Sequence, residues 1–110
     1  MKQYLSPEQT AKLIESGLPK PRYYSTDKYF IIQVGFEAIN YSIGELIEML
    51  PQTINVFYDL SIMSSHKGWQ VLYGMIGDGD MWSIEHEVYR NELIDALYDM
   101  VIKLKEEGVI

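Results

Sequence analysis

Apolar residues recur along this chain with two different periods. From Ser6 to Gly17, from Ser42 to Leu50 and from Leu93 to Leu104 they return three and four positions apart, the spacing of a helix with one buried stripe. Between residues 54 and 88 they return mostly at every second position, the spacing of strands that bury one face. The helical stretches carry their own boundary signals. Ser6-Pro7-Glu8-Gln9 offers a cap, a proline at the first helical position and a glutamine three residues after the cap. Gly17 closes that helix, and Pro19 and Pro21 prevent its continuation. Ser42-Ile43-Gly44-Glu45 is a second capping box, with Ile43, Leu46, Ile47 and Leu50 on one side of a short helix that ends before Pro51. The last helix has Asn91 as its expected cap, Leu93, Ile94, Leu97, Val101 and Leu104 as its stripe, Met100 at the stripe's edge and Gly108 as its stop.

The strand-like region reads as a meander. In INVFYDLSI, Ile54, Val56, Tyr58, Leu60 and Ile62 alternate with Asn55, Phe57, Asp59 and Ser61, which predicts one half-buried strand. A turn at Ser64-Ser65-His66-Lys67-Gly68 leads into WQVLYGMI, and Gly77-Asp78-Gly79-Asp80 leads into MWSIEHEV. The tyrosine-, isoleucine- and phenylalanine-rich stretch from Arg22 to Val34 predicts two short strands around Ser25-Thr26-Asp27-Lys28. The expected fold is therefore α+β, in the order α-β-β-α-β-β-β-α, with an antiparallel sheet and helices mostly packed on one face. With 110 residues and no repeat or linker, residues 1–110 form a single domain.

Composition narrows the function classes. A hydrophobic fraction of 47 % excludes disorder from low hydropathy, and the absence of cysteine excludes disulfides, thiolate nucleophiles and cysteine-held metals. No segment approaches the roughly 20 apolar residues of a membrane span, so no membrane partner and a cytoplasmic location are expected. The net charge of −7 is uneven: residues 1–28 carry five basic and three acidic side chains, so the remainder is strongly acidic. Such a field repels phosphate backbones; it argues against nucleic acid and for a basic protein partner. No cofactor is expected, because GDGD opens a strand rather than the helix that a phosphate loop requires.

Three groups of residues are candidates for chemistry or recognition. In GDGDMWSIEHEV, Asp78, Asp80 and His86 offer a divalent-metal site. Regular alternation sets Trp82, Ile84, His86 and Val88 on one face and Ser83, Glu85 and Glu87 on the other, so His86 and its flanking glutamates cannot all hold one ion. His66, in a turn, lacks the carboxylate and oxyanion hole of a serine-type triad. The row Glu92, Asp95 and Asp99 along the last helix, with Glu45 and Glu48 as an extension, is an acidic docking patch for a basic partner. In WQVLYGMI, Trp69, Val71, Tyr73 and Met75 take one face, and Leu72 and Ile76 the other. With both faces partly apolar, Trp69 and Tyr73 are candidates for an interface and for homo-oligomer formation.

The segments SPEQTAKLIESGL (6–18), YSIGELIEMLP (41–51) and LIDALYDMVIKLKEEGVI (93–110) together resemble short uncharacterised proteins encoded by phages and prophages of gut bacteria. The resemblance implies a phage context and an accessory role, and it carries no catalytic or ligand-binding residue. The sequence thus reads as a non-catalytic protein-interaction module. The alternatives are a small metal-dependent enzyme using Asp78, Asp80 and His86, and a self-associating structural protein.

Overall fold

The computed structural model of the chain describes residues 1–76 and 82–110. The fold is α+β, with four helices and a four-stranded antiparallel sheet among the described residues. In chain order the elements are α1 (Pro7–Glu15), α2 (Lys28–Val34), α3 (Ile43–Met49), β1 (Thr53–Ile54), β2 (Tyr58–Ser65), β3 (Gly68–Ile76), β4 (Trp82–Arg90) and α4 (Leu93–Glu106). The strands lie side by side in the order β1-β2-β3-β4.

Both predicted capping boxes form. Gln9 N donates to Ser6 Oγ at 3.1 Å while Ser6 N donates to Gln9 Oε1 at 3.0 Å, and Ser42 and Glu45 exchange the same pair of bonds at the start of α3. At α4 the cap is Glu92 rather than Asn91, and no side-chain bond closes it. The Glu92 carboxylate is turned instead to the backbone N–H of Lys2, at 3.1 Å.

Three further expectations are corrected. The first concerns Arg22–Val34, where a helix stands in place of two strands. The Asp27 carboxylate accepts from Tyr29 N at 2.9 Å and Phe30 N at 3.3 Å, and this local cap starts α2. A strand needs a neighbour to satisfy its backbone; a capped helix satisfies most of its own, so capping overrides the β-rich composition here.

The second concerns residues 54–62, which do not form one strand. Asn55 and Val56 take positive φ of 49° and 71°, so the chain reverses and Ile54 pairs with Tyr58. Asparagine tolerates that conformation; for a β-branched valine it is an outlier.

The third concerns β4, whose alternation breaks. His86 pairs with Tyr73 but Ile84 pairs with Gly74, which leaves Glu85 as the extra residue of a bulge and puts Ile84 on the opposite face from His86.

The core gathers around α4, which buries Leu93, Ile94, Ala96, Leu97, Met100, Val101 and Leu104 and touches α3, β3 and β4. Leu13 of α1, Leu46 of α3, Ile54 of β1, and Val71 and Tyr73 of β3 belong to the same cluster, with Trp69 packed against it. By contrast α2 buries none of its residues. The radius of gyration is 15.5 Å, above the roughly 13 Å of a compact chain of this length, and the extents are 57 × 32 × 17 Å.

The β2–β3 hairpin depends on Gly68. Its φ is 131°, and a Cβ there would lie 2.6 Å from the carbonyl oxygen of Arg90, so the close approach of β4's end requires glycine.

Two buried tyrosines tie loops to this core. Tyr73 Oη donates to the Pro51 carbonyl at 2.6 Å, and Tyr41 Oη donates to the Pro19 carbonyl. Burial pushes both phenols up to about 12, with the nearby Glu45 carboxylate adding to the effect at Tyr41.

Because the folded value is raised, each phenol's contribution is complete below the unfolded value of 10.0 and is lost as pH rises towards 12. Tyr73→Phe should cost about 1–2 kcal/mol in urea unfolding at neutral pH. The double variant Tyr41→Phe/Tyr73→Phe should lose less stability than the parent between neutral pH and about pH 11. Parallel losses in the two proteins would show that the phenols do not set the alkaline limit.

Candidate functional site

The acidic row of α4 is largely used within the chain. Lys2 Nζ lies 3.1 and 3.2 Å from the two carboxylate oxygens of Asp95, and Gln9 Nε2 donates to Asp95 at 3.2 Å. Arg90 donates to Asp99, and Glu92 accepts from Lys2 N. The row therefore fastens the N-terminal segment and the end of β4 onto α4. Glu45 is engaged as well, closing its capping box with Ser42 and accepting from Arg22 N at 2.8 Å. Glu48 is exposed. Burial alone would raise the Asp95 pKa, but hydrogen bonds from Gln9 and Lys2 and the positive charges of Lys2 and Arg90 outweigh it, so the carboxyl sits below its ordinary value.

Trp69 and Tyr73 lie on the sheet face that meets the core. Tyr73 is fully buried and Trp69 half-buried. Tyr73 is therefore no surface residue, which corrects its place in an expected interface. The physical reason is the stripe of α4, which occupies the face on which they stand.

Of the residues named for a metal site, Asp78 and Asp80 lie outside the described residues. His86 is buried, with Nε2 3.0 Å from Glu107 Oε2 just after α4 and Nδ1 without a hydrogen-bond partner among the described residues. Glu85 sits at the bulge, and Glu87 accepts from Gln70 Nε2 at 2.8 Å. Among the described residues no group of three His, Asp or Glu side chains is placed to hold a metal ion. The largest of the described surface cavities, about 560 Å³, is lined mainly by Met1–Pro7 with Phe36, Glu37 and Asn40. Its titratable lining, Lys2 and Glu37 with Tyr4 and the chain's amino terminus, shows no paired acid and base.

The opposite sheet face is built in three cross-strand rows: Met63–Gln70–Tyr89, Ser61–Leu72–Glu87 and Asp59–Gly74–Ile84. Leu72 is buried at the centre of this face, between the small residues Ser61 and Gly74 on neighbouring positions. Around it Met63, Ile84 and Tyr89 are 43, 45 and 64 % exposed. Asp59, Glu85 and Glu87 surround these apolar groups with negative charge. The result is a low apolar patch with an acidic rim on a three-stranded platform.

Sequence reasoning missed this surface for a definite reason. Unbroken alternation assigns Ile84 to the face of His86, and only the bulge at Glu85 moves it to the face of Tyr89. The tyrosine and methionine at positions 89 and 63 were legible as outward residues once the β2–β3–β4 register was known.

Comparison of the chain with protein-family models, with curated proteins and with solved structures finds no match in any of the three.

The Asp95 anchor has a pH signature. Its lowered pKa means that its contribution is present above the ordinary aspartate value of 3.8 and disappears as pH falls through the folded value. Asp95→Asn should melt below the parent protein near neutral pH, and the gap should narrow as the pH is lowered below 3.8. An equal gap at both pH values would show that the charge on Asp95 does not secure the N-terminal segment.

Proposed function

We propose that this protein is a non-catalytic protein-interaction module, an accessory protein of the phage or prophage type, and that its helix layer covers one face of the sheet while the other face binds. The observation that carries the reading is the exposed trio Met63, Ile84 and Tyr89 around buried Leu72, rimmed by Asp59, Glu85 and Glu87. An aromatic, a methionine and an aliphatic side chain on a rigid antiparallel platform have the make-up of an interface core, and carboxylates at the margin suit a basic partner. The acidic row of α4 has a smaller share in recognition, because Lys2, Gln9 and Arg90 already compensate it.

Binding should then depend on the sheet and not on the helix row. Ile84→Lys combined with Tyr89→Ser should reduce partner capture by tagged protein at least about tenfold, a hot-spot loss, while leaving the melting temperature within a few degrees. Asp99→Asn should capture as the parent does. Loss with Asp99→Asn and retention with the sheet variant would overturn the assignment. Mass spectrometry of the captured material, at low and at high salt, reads both.

A further inference from the structure

The one helix among the described residues that fully buries none of its side chains, α2, carries with its flanks the chemistry that the open sheet face lacks. From Lys20 to Phe36 the chain exposes Tyr29, Ile32 and Phe36, at 82, 69 and 74 %, beside the cations Lys20, Arg22 and Lys28. Its acidic residue Asp27 is occupied in capping α2. Tyr29 and Ile32 are three residues apart, so they project from one side of the helix. A helix of seven residues without buried side chains is not stable in water by itself, and one cap does not change that. α2 thus needs a surface to lie on.

We infer that the surface is the outer sheet face of a second copy of this chain, and that two copies exchange their α2 segments reciprocally about a two-fold axis. The inference rests on the outer face being the binding face and adds the identity of its occupant. Charge fits: α2 brings Lys28 to a patch that carries Asp59 and Glu87 on its cross-strand rows. Shape fits as well, because Ser61 and Gly74 leave low ground beside Leu72, between Met63 and Tyr89 at one end and Ile84 at the other. Area selects reciprocity. At about 150–250 Å² per aromatic side chain, the exposed parts of Tyr29 and Phe36 supply roughly 300 Å² to one side of one contact, and Ile32 brings this to roughly 400 Å². One contact then buries roughly 800 Å² in all, whereas two related by symmetry reach the ~1,600 Å² of a stable interface. Edge-to-edge pairing of β4 is the poorer way to assemble two copies, since the bulge and the carboxylates of Glu85 and Glu87 oppose it.

The chain has no cysteine, so engineered cysteines report proximity without background. The test joins sedimentation equilibrium of the full chain over a range of concentrations with oxidative cross-linking of an equimolar mixture of Ile32→Cys and Ile84→Cys proteins. Expected are a two-chain mass at low salt, at least about tenfold weaker association at high salt or in Ile84→Lys, and a covalent 32–84 pair between copies. A Glu8→Cys protein in place of Ile32→Cys should give no such pair. The charge reversals Lys28→Glu and Glu87→Lys should each weaken association, and their combination in one chain should restore part of it. A one-chain mass at every concentration would overturn the second copy as occupant and leave the sheet face open to a different protein. A two-chain mass that is indifferent to Ile84→Lys would overturn the exchange, while partner capture unchanged in the Ile84→Lys/Tyr89→Ser protein would overturn the binding face on which it rests.

Discussion

Everything else in this small fold is arranged around the seating of α4 on β3 and β4. Seven residues of that helix are buried, and the cluster they form draws in Leu13, Leu46, Val71 and Tyr73 from the other elements. Burial of apolar surface is worth about 25 cal/mol per Å², and no other element here concentrates as much of it. A chain of this size has one such contact to spend its apolar residues on, so the elements that do not reach it are held by other means.

Those other means are polar and local. The N-terminal segment is fastened by Lys2 and Gln9 to Asp95 and by Leu5 N to the Tyr41 carbonyl, at 2.9 Å. Tyr41 and Tyr73 each reach back to a proline carbonyl 22 residues earlier, so the segments that follow α1 and α3 are tied to the core by one buried hydrogen bond apiece. Acidic side chains that resemble a docking patch in sequence are therefore structural anchors. Their charge is partly compensated within the molecule by Lys2 and Arg90.

What the sequence discloses follows from the range of the interactions involved. The α4 stripe, both capping boxes and the β2–β3–β4 meander depend on neighbours a few residues apart, and pattern alone finds them. α2 was hidden because its β-rich composition competes with a single cap at Asp27, and no strand stood ready to pair with it. The reversal at Asn55 and Val56 runs against the preference of valine, and the bulge at Glu85 leaves no mark in the alternation on either side. The partners of Asp95 and Asp99 are Lys2, Gln9 and Arg90, two of them more than 80 positions distant. Only the fold brings them together. The candidate surface suffered most, since a one-residue shift in β4 decides which apolar side chains share a face.

The sheet separates two surfaces. One side carries Trp69, Val71 and Tyr73 into the core; the other holds Met63, Leu72, Ile84 and Tyr89 on a platform fixed by the same backbone. Nuclear Overhauser spectroscopy on isotope-labelled protein measures this division directly. Cross-peaks should join the Tyr73 ring and the Val71 methyls to side chains of α4, with none from α4 of the same chain to the methyls of Met63 and Ile84. Cross-peaks from α4 to Met63 or Ile84, in place of Val71 and Tyr73, would contradict it.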